Sequence, residues 1–102
     1  MPIQKKWSDY KKENAKKEPD NFGAYQLANK NREILYIGEG HVKTRLIAHF
    51  PNASEPVVCA SFYRYELTKS KERCRQRQNA LLKEYMDSNN GSTPPFNTRS
   101  RN

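Results

Sequence analysis

A chain of 102 residues with a formal charge of +8 and a pI near 9.7 is expected to form one compact basic domain, and such a charge points first to a nucleic-acid partner. No apolar run approaches the ~20 residues of a membrane-spanning helix, and Met1-Pro2-Ile3-Gln4-Lys5-Lys6 lacks the apolar stretch of a secretory signal. Cys59 and Cys74 stand alone, with no close Cys or His partner, which argues against a disulfide framework or a structural zinc site and suits a reduced, cytoplasmic protein without membrane contact.

Only 34% of the residues are hydrophobic, a composition that borders on disorder. Six Tyr, four Phe and one Trp nevertheless supply large buriable surfaces, and the aliphatic residues are clustered, so a modest core is expected. Residues 1–22 read as a basic extension. Ser8 is placed to cap a short helix from Asp9 to about Lys17 that packs loosely on the domain, and Pro19 ends it. From Gly23 the pattern changes. Ala24-Tyr25-Gln26-Leu27 alternates as a strand does, Asn29 to Arg32 is turn-like, and Glu33 to Gly38 is an apolar run suited to a buried strand. Together they predict a β-hairpin, after which Gly38 and Gly40 permit a sharp turn. A helix over Val42 to Phe50 follows, stopped by Pro51. Val58 to Leu67 reads as a third strand. Thr68 or Ser70 caps a long helix to about Asp87, which Asn89-Asn90-Gly91 ends. Ser92 to Phe96 is extended and Pro-bearing, and residues 98–102 form a basic tail. This order predicts an α+β domain with a small antiparallel three-stranded sheet flanked by helices.

Three places can carry chemistry. Tyr25 and Tyr36 fall on neighbouring hairpin strands, where they can meet, although paired strand tyrosines are also ordinary cross-strand packing. Arg45 and His49 are four apart on the helix after Gly38 and share a face. There an Arg can clamp a phosphate and a His can bond a phosphate or water, or move a proton; a solvated Arg beside a half-buried His is the plainer alternative. On the long helix Cys74, Gln78, Leu81 and Tyr85 form one stripe in which Gln78 is the fully polar member. Arg73, Arg75 and Arg77 flank it; with Lys43 on the shorter helix they suit a phosphate backbone, or simply a solvated surface.

The ordered set resembles the GIY-YIG nucleases: Gly23-Ala24-Tyr25, then Tyr36-Ile37-Gly38, then Arg45 and His49, then a polar helix position before Leu81-Leu82, then Pro95-Phe96-Asn97. The resemblance spans about Gly23 to Asn97, so that 23–97 would be the nuclease domain. It implies a metal-dependent DNA endonuclease with one divalent cation, magnesium or manganese, held by a glutamate of the long helix. It assigns water activation to Tyr25 or Tyr36, charge stabilisation to Arg45, a site role to His49, and to Asn97 the tying of the domain's end to the site. It implies no small-molecule cofactor and leaves a homodimer open. Three positions depart from the pattern: Ala24 replaces Ile, Glu39 follows Gly38 where several members have Lys or Arg, and Gln78 stands where the metal-binding Glu is expected. An amide oxygen is a poorer ligand for a hard cation than a carboxylate. Gln78 reflects either a natural loss of the ligand or an engineered isosteric change. Glu72 and Glu84 lie on other helix faces, and Glu39 and Glu66 can substitute only if folding brings them near. A nucleic-acid-binding protein without catalysis, and a basic subunit for an acidic protein partner, are the competing readings.

Overall fold

The computed structural model describes residue 3 and residues 6–97. The basic tail expected over 98–102 lies outside the described residues. The architecture is α+β: strands β1 (Ser8–Asp9), β2 (Phe22–Ala28), β3 (Ile34–His41) and β4 (Phe62–Leu67), and helices α1 (Lys12–Ala15), α2 (Val42–Ala48) and α3 (Lys71–Ser88). The sheet is antiparallel in the order β1-β4-β2-β3, so β2 and β4 are internal and β3 is an edge.

Strand β2 is buried from Gly23 to Ala28 on both faces because each face of the sheet is covered. Tyr25, Leu27 and Tyr63 meet Val42 and Leu46 of α2 on one side. Ala24 and Ile37 meet Leu81 of α3 and Ile3 on the other. Gln26 falls on the α3 side and is buried, yet its amide oxygen accepts from Arg64 Nε at 2.6 Å, which meets the cost of burying it.

The fourth strand comes from the N-terminal extension, which is tied down rather than loose. Ser8 and Asp9 pair with Tyr63 and Phe62, where a helix over 9–17 was expected. Helical structure there shrinks to Lys12–Ala15 because the exposed edge of β4 offers Ser8 and Asp9 sheet hydrogen bonds. Tyr10 then enters the core, stacked on Phe50 at 4.4 Å, and its hydroxyl donates to the Leu46 carbonyl at 2.6 Å. Trp7 lies against the Arg64 guanidinium, 4.1 Å from ring centroid to Cζ.

Two other boundaries move. Helix α2 stops at Ala48 rather than Phe50: the backbone before Pro51 is disfavoured in helix, and the His49 side chain turns inward. Strand β4 begins at Phe62 rather than Val58. Cys59 adopts φ +73° in a turn that buries Val57 and exposes Val58, so tertiary packing overrides β propensity. The long helix keeps its predicted ends. Ser70 accepts from the Arg73 amide at 3.1 Å, and the Gly91 amide closes the C-terminus on the Met86 carbonyl at 2.8 Å.

Candidate active site

Two glycines set the distances in the hairpin. Tyr25 lies opposite Gly38, and its ring crosses that glycine so closely that a Cβ there would stand 2.4 Å from the phenol oxygen and 2.7 Å from Tyr36 Cε2. Gly38 is therefore needed for close approach, in a strand that continues to His41, and the sharp bend expected of it is absent. A Cβ at Gly23 would meet the Glu66 carbonyl oxygen at 2.6 Å and Val42 at 2.8 Å, so Gly23 lets α2 and β4 close around β2. Tyr36 pairs with Leu27, which puts both tyrosines on the α2 side with ring centroids 6.1 Å apart.

Behind the tyrosines sits His49, 1% exposed. Its Nδ1 is 2.7 Å from the Glu55 carbonyl oxygen, which can only accept, so Nδ1 carries a proton. Burial holds the imidazole pKa below its ordinary value; the Glu55 carbonyl bond opposes this and the Arg45 charge adds to it. The ring is thus neutral, and Nε2 accepts from the Tyr25 hydroxyl at 2.7 Å. Burial pushes the Tyr25 phenol well above its ordinary value, helped by Tyr36 and opposed by Arg45. Tyr25 has no exposed surface. Tyr25 and His49 form a closed pair that solvent does not reach.

Tyr36 and Arg45 form the outer layer. Tyr36 is half-buried, and burial raises its phenol pKa while Arg45 lowers it. The Arg45 guanidinium forms an ion pair with the Glu55 carboxylate, and its charge acts on both phenols. That pairing holds the Glu55 carboxyl below its ordinary range. No pattern in the sequence marks Glu55: it lies in the irregular segment 51–57, and only the fold brings it to Arg45.

Asn97 reaches the edge of the sheet. At Ile37 both backbone groups of β3 point away from β2, and Asn97 bonds both: its Oδ1 accepts from the Ile37 amide at 2.9 Å and its Nδ2 donates to the Ile37 carbonyl at 2.8 Å. Gln78 comes to the same carbonyl from α3, its Nε2 donating at 3.4 Å, a long and weak bond. Asn97 and Gln78 thus meet at the Ile37 carbonyl on the edge strand, Gln78 coming from the face of the sheet opposite the tyrosines.

The surroundings of Gln78 suit a resident divalent cation poorly. Its amide is neutral and its nitrogen faces a carbonyl, as an amide donor should. Among the described residues no three His, Cys, Asp or Glu side chains converge. Glu66 is held bidentately by Arg77, at 3.1 and 3.0 Å. Glu39 accepts from the Cys74 thiol at 3.0 Å, one helical turn from Gln78, which makes it the carboxylate brought to that side of α3.

The basic residues do not form one patch. Lys43 belongs to α2, beside Asp20, on the opposite face of the sheet from α3. Arg73 and Arg77 line a cleft of about 420 Å³ with Lys69 and Glu66. Arg75 is two residues from Arg73, about 200° around the helix, and faces away from that cleft. Arg73 and Arg75 are exposed, whereas Arg77 is engaged by Glu66. Among the described residues no helix is long and apolar enough to cross a membrane.

Residues 1–88 match the family described as a domain of unknown function (DUF7508), and the chain belongs to that family. No curated protein matches it.

Proposed function

We propose that this member of the DUF7508 family is a DNA endonuclease of the GIY-YIG type whose hydrolytic power is reduced by Gln78. The observation that carries the reading is the layered cluster on the hairpin. A buried Tyr25–His49 pair, bonded at 2.7 Å, underlies the accessible Tyr36 and Arg45. Packing alone explains paired tyrosines; it does not explain a neutral, nearly inaccessible imidazole bonded through both nitrogens, beside a guanidinium whose charge acts on both phenols.

In this reading the scissile phosphate lies on Arg45, whose fork matches phosphate oxygens and meets the charge that develops as water attacks. Tyr36, raised in pKa and neutral, orients that water by accepting its hydrogen bond. Water adds to phosphorus and gives up one proton to solvent, the bond from phosphorus to the leaving oxygen breaks, and that oxygen takes a proton from solvent. Tyr25 and His49 are positioning residues: their mutual bond fixes the ring against Gly38 and thereby the outer pair. Asn97 holds the edge strand in register with that pair. Magnesium or manganese would neutralise phosphate charge if position 78 carried a carboxylate; the neutral Gln78 amide, donating to the Ile37 carbonyl, does not fit such an ion. Lys43, on the helix of Arg45, and Arg73, in the cleft along α3, supply contacts to the DNA backbone from opposite faces of the sheet, and Arg75, turned away from that cleft, does not share them.

A second reading, binding without cleavage, is favoured by one observation: the Gln78 amide donates to the Ile37 carbonyl and so fills with a neutral bond the place a charged ligand would need. Both readings predict DNA binding with a steep salt dependence that weakens on Arg45→Ala, measured by fluorescence anisotropy on duplex and branched DNA. Binding that is salt-insensitive, or unaffected by that substitution, contradicts both.

A further inference from the structure

The Arg45 side chain is 28% exposed, and its ion-pair partner is the Glu55 carboxylate, on a side chain 56% exposed. Glu55 is held there by its backbone. Its amide donates to the Ala48 carbonyl at 3.0 Å, its carbonyl accepts from His49 Nδ1 at 2.7 Å, and the next anchored residue, Val57, is buried with its amide on the His49 carbonyl at 2.9 Å. The stem of the side chain is therefore fixed while the carboxylate remains able to rotate into solvent. A carboxylate and a phosphate present similar oxygen acceptors to a guanidinium. An anion approaching Arg45 from solvent meets another anion already in place.

We propose that Glu55 is a built-in anionic latch on Arg45: a phosphate group enters this site only by displacing the Glu55 carboxylate. This rests on the reading of Arg45 as the phosphate-binding residue. The latch opens at small cost, because a pair this exposed contributes little net free energy. It opens without unfolding, because the anchoring bonds of 48–57 are backbone and imidazole bonds that survive when the carboxylate swings away. It discriminates by charge: a single monovalent anion gains little over Glu55, whereas the phosphates of a nucleic acid arrive with many contacts at once. The neighbouring groups support the arrangement. Tyr25, Tyr36 and His49 all lie close enough to Glu55 for its charge to favour their protonated forms, so removing that carboxylate leaves the Arg45 charge less opposed at the cluster.

The test uses two probes on the full chain, because they separate the latch from the DNA reading. Inorganic phosphate is titrated while the Arg45 Nε–H resonance is followed by NMR, in the parent and in Glu55→Gln, an isosteric change that leaves the backbone anchors intact. The apparent affinity for phosphate at Arg45 should rise roughly threefold to tenfold in Glu55→Gln, the range spanned by an exposed ion pair and a charge-assisted hydrogen bond. Equal affinity in the two proteins, or no perturbation of Arg45 in either, overturns the latch. A fluorescent 20-base-pair duplex is then titrated into both proteins and into Glu13→Gln, which removes the same charge from an exposed helical position remote in sequence from the site. Glu55→Gln should tighten duplex binding more than Glu13→Gln does, and the excess should vanish in an Arg45→Ala background. An excess that persists without Arg45 overturns the latch. Absence of duplex binding in every protein, with the phosphate effect intact, sinks the DNA reading and leaves the latch standing.

Discussion

Replacing Gly38 by alanine puts the architecture of the site under a quantitative test. The new Cβ would lie 2.4 Å from the Tyr25 oxygen, 2.5 Å from its Cζ and 2.7 Å from Tyr36 Cε2, all inside contact distance. Tyr25 is fully buried and its hydroxyl is committed to His49, so the ring has nowhere to go without breaking that bond. Overpacking of this kind costs about 1–3 kcal/mol. Alanine regains about 0.4–1 kcal/mol by restricting the unfolded chain, and Gly38 lies outside the positive-φ region, so no backbone strain is added. The net loss then spans about 0–2.6 kcal/mol, and three contacts this short put it in the upper half of that range, a fall in Tm on the order of 5–20 °C for a domain of this size. Urea unfolding followed by circular dichroism measures it. The mechanism is separable from a general intolerance at position 38: Tyr25→Leu shortens the side chain, so the double variant Gly38→Ala/Tyr25→Leu should be less destabilised than the sum of the singles by about 1 kcal/mol or more. Stability of Gly38→Ala within about 0.5 kcal/mol of the parent, or strict additivity in the double variant, refutes the close-packed tyrosine arrangement.

The state of His49 gives a pH prediction. Its pKa in the fold lies below the ordinary 6.5, so its contribution to stability is complete above about pH 6.5 and is lost as pH falls toward the folded value, because the unfolded chain binds the proton first. Unfolding free energy should therefore drop as the pH falls below about 6.5, and less so in His49→Phe; an equal drop in both would remove His49 as the cause. Asn97→Ala removes two bonds from the edge strand and should cost about 1–2 kcal/mol, with faster hydrogen exchange specifically at the Ile37 amide. Unchanged protection of that amide would rule out the tie. Arg73→Ala should lower the salt slope of DNA binding by about one and leave stability nearly unchanged. Arg77→Ala should instead destabilise the fold by leaving Glu66 without its bidentate partner, and the reverse pattern would mean that the assignments of these two arginines are exchanged.

Much of this arrangement was legible in the sequence where local chemistry decides the outcome. The hairpin, the cap at Ser70 and the stop at Asn89-Asn90-Gly91 follow from turn and capping chemistry within a few residues. The nearness of Tyr25 to Tyr36, and of Arg45 to His49, was also readable from hairpin pairing and helical spacing, whereas the joining of the two pairs rested on the family resemblance. What was not legible depends on distant partners. Ser8 and Asp9 look like a helix start, and only the open edge of β4, more than fifty residues later, makes them a strand. His49 reads as half-buried until Glu55 and Tyr25 satisfy both its nitrogens. Val58 carries strong β propensity, yet the turn at Cys59 sends it to the surface. Arg73, Arg75 and Arg77 look like one basic cluster along the chain, but a spacing of two around a helix, together with Glu66, divides them.

The central claim is that a hydrolytic site survives here with its charged helix position neutralised, and the direct measurement is magnesium-dependent cleavage by the parent and by Gln78→Glu side by side. In the variant a carboxylate would face the Ile37 carbonyl that the amide now bonds, an arrangement that a cation relieves and that destabilises the protein without one. Gln78→Glu should therefore gain thermal stability on adding magnesium where the parent does not, and should cut duplex or branched DNA at least tenfold faster than the parent, an advantage of about 1.4 kcal/mol in the barrier, with the activity lost on Arg45→Ala. A Gln78→Glu protein that folds, neither responds to magnesium nor cleaves any duplex, branched or single-stranded DNA, would contradict the enzyme reading.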